Sequence, residues 1–288
     1  MSKRIYIKDL QAEIGKEVTV CGWVNVRRDQ GKMVFFNIRD FSGVVQAVVL
    51  PDSKAIETAK EIKQESAISI KGKVNERPAK NKNLKVQNGD IELEVLEIEI
   101  LGVAESLPFD MSADGFNLDV TTELDHRALT LRHPRLQSIF KVQSAIIDLF
   151  REFMKAQDFF EFQAPSIVPA TAEGGAEVFQ LDYFDKKAYL SQSPQLYKQI
   201  VMSAFERVFS VNKVFRAEPS ATTRHLTEIV SLDVEFGFIN SWRDVRDLSE
   251  KTVRYILNNL KSRCEKELEF LGAVLPEMIN ETPTLSLK

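Results

Sequence analysis

Residues 207–238 read RVFSVNKVFRAEPSATTRHLTEIVSLDVEFGF. The two flanks carry apolar residues at near-alternating positions: Val208, Val211 and Phe215 on the first, Ile229, Leu232, Val234 and Phe236 on the second. A polar loop with Pro219 and a threonine-rich turn joins them, so the spacing predicts a long β-hairpin. Arg216, Glu218, Asp233 and Glu235 sit where a core-facing strand would be apolar, and Arg224 and His225 follow in the loop. A hairpin that aims several charges into one space is built to hold a charged ligand. A cross-strand ladder of salt bridges on a solvated sheet accounts for the same residues.

The 288 residues suffice for two domains, each with its own core. Composition is that of a water-soluble protein, 44% hydrophobic and 28% charged, with a net charge of −4. No apolar run approaches the ~18–20 residues of a membrane span, and MSKRIYIKDL at the start lacks a signal-peptide core. The 2 cysteines, Cys21 and Cys264, suggest no disulfide framework, and the 3 histidines form no cluster at zinc-ligand spacing. These features predict a cytoplasmic protein with no membrane partner. The mild acidity weighs weakly against nucleic-acid binding, because the local field decides that question. Between Lys71 and Asn88 six basic residues face one acid, Glu76, a run that a solvated loop explains equally well.

Working back from the hairpin, residues 17–102 read as five short strands with a helical segment near 52–64 inserted after the third. That is the pattern of an OB-fold barrel, many of which bind single-stranded nucleic acid on strands two and three. Those strands offer Phe35 or Phe36, Arg28, Asn37 and Gln46. Neighbours on a strand face opposite sides, so one phenylalanine belongs to the core and the other to the surface. Residues 103–134 lose periodicity and are punctuated by Pro108, Gly115 and Pro134, as in a hinge. Apolar residues then recur at helical spacing from Leu136 to Met154, followed by the strand FFEFQAP ending at Pro165. Further on come TAEGGAEVF at 171–179 and AYLSQSPQLYKQ at 188–199. The second reads as a strand and a helix opening at Leu196, with Gln195 and Lys198 side by side.

FRAE, a loop, RHLTE and then LDVE resemble the second signature motif of class II aminoacyl-tRNA synthetases, in the aspartyl, asparaginyl and lysyl subclass. GWVNVRRDQGKMVFFNIRDFSGVVQAVV resembles the anticodon-binding barrel of the aspartyl family. LDHRALTLRHP resembles the subclass connector, and the helix, strand and proline after it resemble the first signature motif, whose helix and strand build the class II dimer. QSPQLYKQ resembles aspartyl enzymes of the archaeal and eukaryotic type.

The resemblance implies an α+β multidomain chain. An OB-fold anticodon-binding domain spans 1–103, a hinge 104–134, and a partial class II antiparallel sheet flanked by helices 135–288. It implies an aspartate–tRNA ligase, homodimeric through the first motif, acting on aspartate, ATP and tRNA-Asp, with tRNA-Asn as a further acceptor to be decided. Arg28, Phe35 and Gln46 match positions that engage the anticodon. For aspartate the resemblance points to Glu173 and Asp233 at the ammonium, Lys198 at the side-chain carboxylate and Gln195 steadying the substrate. Arg216 bridges the substrate carboxylate and the α-phosphate and is the catalytic residue. Glu218 and Leu226 lie on the ATP side, with Arg224 and His225 reaching the outer phosphates.

A third motif, which in class II enzymes carries a second arginine and the acids for Mg²⁺, has no counterpart after Phe238. The expectation is therefore an incomplete enzyme, the product of a truncated gene, with no metal ligands of its own. Three alternatives remain at this stage: an asparaginyl enzyme, an inert tRNA-binding remnant, and a synthetase-derived amide ligase. Lys198 argues against the first and the barrel against the last.

Overall fold

The computed structural model describes residues 3–83, 86–111, 117–170, 177–219, 222, 225–277 and 282–285. The chain divides into two compact units, Met1–Thr122 and Glu123–Lys288. The division falls within the stretch read as a hinge.

The first unit is a closed barrel of five strands, β1 (Glu17–Asp29), β2 (Val34–Asp40), β3 (Gly43–Val49), β4 (Ala67–Glu76) and β5 (Ile91–Gly102), in the order β1-β2-β3-β5-β4. The helix α1 (Ile56–Glu61) follows β3, as the sequence pattern predicts. Alternation does the sorting: on β2 burial strictly alternates from Val34 to Asp40, so Val34, Phe36 and Ile38 enter the core and Phe35, Asn37 and Arg39 face outward. A 3₁₀ turn at Ile7–Glu13 adds Ile7 and Leu10, both fully buried, to that core. β1 is bulged between Val24 and Val26, which tightens its coil against β2. Just before the bulge, a Cβ on Gly22 would lie 2.5 Å from the Arg39 carbonyl, so only glycine fits where the strands approach.

Between the barrel and the long helix lie two short helices, α2 (Val120–Asp125) and α3 (Arg127–Thr130). The predicted amphipathic helix is α4 (Pro134–Ala156). Pro134 opens it and His133 caps it, Nδ1 accepting from the Arg135 backbone N–H at 3.3 Å. After it come β6 (Phe160–Glu161), β7 (Ile167–Val168), β8 (Gln180–Tyr183), β9 (Lys186–Leu190) and α5 (Gln195–Phe205). The hairpin is β10 (Arg207–Phe215) and β11 (Glu228–Phe236), and two helices close the described chain, α6 (Trp242–Arg263) and α7 (Glu265–Leu271).

β10 pairs antiparallel with β11 along nine registered positions and parallel with β6, so this sheet is mixed rather than purely antiparallel. β7, β9 and β8 form a second small sheet. The segment FFEFQAP contributes only two strand residues, and α5 begins one residue earlier than expected.

The register also corrects the apolar face of the hairpin. Phe209 lies opposite Val234 and Val211 opposite Leu232, and this face packs on Phe150, Phe153 and Met154 of α4 and Leu248 of α6. Val208 and Ile229, grouped with that face on sequence, belong to the other one. An ordinary two-residue alternation starting at Phe209 explains both strands.

Candidate functional site

The face of the hairpin turned away from α4 and α6 is polar, although several of its residues are enclosed. Ser210 lies opposite Asp233, Asn212 opposite Ser231 and Val208 opposite Glu235. Ser210 is fully buried and Asn212 nearly so, and the Asn212 amide donates to the Ser210 hydroxyl. Ser231 Oγ donates to Asp233 Oδ2. Enclosed polar atoms are tolerated when hydrogen-bonded, as Ser210 and Asn212 are to each other, and the Ser231 hydroxyl holds one oxygen of Asp233.

Helix α5 lies over this layer. Lys198 Nζ stands 3.4 Å from Asp233 Oδ1 and 3.5 Å from Glu235 Oε2, with its side chain only 13% exposed. One ammonium between two carboxylates leaves a local excess of one negative charge. The position of α5 follows from the segment before it. Phe215 N–H donates to the Ser191 carbonyl at 2.8 Å, tying QSPQ to the end of β10, and Gln195 N–H donates to Ser193 Oγ at 3.1 Å as the helix begins. Gln195 and Lys198, three apart, share one face of α5.

Arg216 lies one step past β10. Its N–H donates to the Thr227 carbonyl at 3.0 Å, so the ladder continues and alternation carries Arg216 to the face of Asn212. Its side chain is exposed, as an arginine that meets a ligand would be. Glu218 is half-buried beside it in sequence. His225 is exposed, Nδ1 2.6 Å from Thr222 Oγ1, and Leu226 is 60% exposed. Glu173 and Arg224 lie outside the described residues. Among the described residues no group of His, Cys, Asp and Glu side chains is assembled to hold a metal ion.

The structure thus brings Gln195, Lys198, Asp233 and the strand carrying Arg216 together. It also adds Ser231, Ser210 and Asn212, which the sequence reading left out of the site, and gives Glu235, read there only as one of the hairpin's charges, a place beside Lys198. Glu235 was legible as the next outward position after Asp233. The serines and the asparagine were not, since short polar residues on a strand carry no signal until the register is known.

On the barrel, Arg28 lies opposite Phe35 and Asn37 opposite Gln46. Directly paired residues share a face, as do Phe35 and Asn37 two apart, so Arg28, Phe35 and Gln46 occupy one outer surface. Phe36 is the phenylalanine in the core.

Residues 119–286 match the family described as tRNA synthetases class II (D, K and N). The chain belongs to this family. Residues 18–101 match the OB-fold nucleic acid binding domain. An aspartate–tRNA(Asp/Asn) ligase from Deinococcus radiodurans is 38% identical over 99% of this chain and 62% of its own length. Its counterpart from Thermus thermophilus is 39% identical over 98% and 64%. The chain therefore spans about three fifths of these curated relatives. Among solved structures, asparaginyl-tRNA synthetase from Pyrococcus horikoshii with asparaginyl-adenylate superposes with a TM-score of 0.83 at 33% identity, covering 93% of this chain and 61% of that one. The aspartyl-tRNA synthetase from Entamoeba histolytica gives 0.77 at 30%, covering 94% and 57%. An OB-fold barrel followed by part of a class II synthetase catalytic domain is thus the architecture of this chain.

Proposed function

We propose that this class II synthetase chain belongs to an aspartate–tRNA ligase, cytoplasmic and homodimeric through α4 and β6, that charges tRNA-Asp. The observation that carries the reading is Lys198, nearly enclosed and held by Asp233 and Glu235 beside the end of β10. An enclosed cation that can exchange its protein carboxylates for a substrate carboxylate discriminates steeply, because a neutral amide would leave the lysine without a charged partner. The displaced Asp233 and Glu235, with Glu173, then face the substrate ammonium.

In the reaction the α-carboxylate oxygen of aspartate attacks the α-phosphorus of ATP, and pyrophosphate leaves. A ribose hydroxyl at the tRNA 3′ end then attacks the carbonyl of the aspartyl-adenylate, expelling AMP and releasing its proton. Neither step needs a protein nucleophile. Arg216 orients the substrate carboxylate against the α-phosphate, Gln195 steadies the amino acid, and Glu218, Arg224, His225 and Leu226 bound the nucleotide. Mg²⁺ would neutralise charge on the phosphates, but the described residues do not form a cage for it and no step is assigned to it. Arg28, Phe35 and Gln46 receive the anticodon.

The second reading is an asparaginyl enzyme, the kind of protein in the Pyrococcus horikoshii structure, though a Leishmania major protein assigned as an aspartyl-tRNA synthetase superposes equally well, with a TM-score of 0.84 at 34% identity. Titration calorimetry with non-hydrolysable aspartyl- and asparaginyl-adenylate analogues separates the two, with aspartate- against asparagine-dependent ATP–pyrophosphate exchange alongside. Tighter binding of the aspartyl analogue is expected. A preference for the asparaginyl analogue would sink the aspartyl assignment.

A further inference from the structure

At the β2–β3 turn the barrel exposes an aromatic pair with cations on it. Phe41 is 75% exposed and meets Tyr6, itself 40% exposed, edge-to-face with ring centroids 5.0 Å apart. The Arg4 guanidinium lies 4.9 Å from the Tyr6 centroid and Lys8 Nζ 5.9 Å from that of Phe41. Turn tips ordinarily carry Gly, Asn, Asp or Ser, and a large ring there gains nothing from the core. The nearby acid is withdrawn: the Asp40 side chain is fully enclosed, accepting from the backbone N–H groups of Ile7 at 3.0 Å, Ser42 at 2.7 Å and Gly43 at 3.1 Å. Arg4 reaches it only at 3.9 Å and donates to the Cys21 carbonyl at 3.1 Å. What faces solvent is therefore two rings and two cations, with the exposed Asp9 next to Lys8 on the 3₁₀ turn.

This patch continues the outer face of β2. Phe35, Asn37 and Arg39 line that face, and Phe41 stands two residues beyond Arg39. Arg39 lies opposite Trp23 and covers its ring at 5.5 Å, while 41% of Trp23 remains exposed. From Phe35 to Phe41 the strand rise gives a track of roughly 20 Å. Arg39 is itself paired with the buried Glu65 carboxylate, so the charges left to the track are Arg4 and Lys8 at its end. Exposed aromatic faces along an OB-fold strand with cations beside them match single-stranded nucleic acid, whose bases stack and whose phosphates need positive charge.

We infer that Tyr6 and Phe41, with Arg4 and Lys8, form a second RNA-stacking site that takes an unpaired base several nucleotides along the strand from the one at Phe35. The inference rests on the tRNA reading above, and the experiment keeps the two apart. Anisotropy with a labelled tRNA-Asp transcript is measured on the whole chain and on Phe35→Ala, Phe41→Ala, Phe41→Trp and Lys8→Gln. Loss of one stacked base is expected to weaken binding by about five- to tenfold or more in Phe41→Ala, with Phe41→Trp close to the parent. Lys8→Gln is expected to reduce the slope of log K against log salt by about 0.7. Parent-like affinity in Phe41→Ala while Phe35→Ala is weakened would overturn the second site and leave the tRNA reading standing. No binding by the parent chain would overturn both. Phe41 is too exposed for its truncation to threaten the fold.

Discussion

Phe35 and Phe36 are adjacent, chemically identical and opposite in role. Phe36 is fully buried, so Phe36→Ala is expected to cost about 3–5 kcal/mol of barrel stability, read from chemical denaturation. Phe35→Ala removes no core volume and should leave the denaturation midpoint nearly unchanged while lowering tRNA affinity. Lys198 carries the substrate side of the argument. Lys198→Met keeps the bulk of the side chain and removes the charge, leaving Asp233 and Glu235 without their cation. Affinity for an aspartyl-adenylate analogue should fall on the order of 10²–10³-fold, and unchanged affinity would remove Lys198 from the pocket. The type of residue at these positions was legible in the sequence; their partners were not. Lys198 reads as a cation waiting for a substrate carboxylate, whereas the fold already supplies it with two.

Among the elements, α4 is bounded by a cap that titrates. Burial, with the Arg135 charge nearby and Glu123 opposing, holds His133 below its ordinary value near 6.5. The folded imidazole therefore stays neutral while that of the unfolded chain takes up a proton. The unfolded state binds more protons, so this contribution to stability is whole above about pH 6.5 and declines as pH falls towards the lowered folded value. Protonation would also end the acceptance at Nδ1 that caps the helix. His133→Asn, which caps without titrating, should flatten the pH dependence of the melting temperature between about pH 5 and 7. An undiminished slope would place its origin elsewhere. At the other end of the hairpin, Ser241 and Asp244 form a reciprocal capping box on α6, and Ser241→Ala is expected to cost about 1 kcal/mol. The long helix α4 was legible from periodicity, but the mixed character of the sheet needed the partner strands. β6 supplies two residues, too few for any alternation to register.

For the whole molecule the separation of cores has a measurable consequence. Among the described residues, the barrel cluster draws only on residues before Ile100, and the clusters around α4 only on residues after Arg135. Phe36→Ala should therefore shift one transition in calorimetry. Leu149→Ala, which empties a site packed against Leu260, Cys264 and Leu268, should shift another by removing about 2–5 kcal/mol. One transition that moves equally for both variants would mean that the two units unfold together.

Local chemistry repeated along the chain was enough to determine the barrel, the long helix, the hairpin and the family. Alternation, helical spacing and the strings FRAE, RHLTE and QSPQLYK are properties of neighbours in sequence. Which face of the hairpin is polar, which carboxylates hold Lys198, and where Tyr6 meets Phe41 depend on pairs 35 residues apart in sequence for both Lys198–Asp233 and Tyr6–Phe41. A register shift of one residue would exchange the two faces of the hairpin without altering a single motif. Only the tertiary structure decides that register, because the packing of Phe209, Val211, Leu232 and Val234 on α4 and α6 selects it.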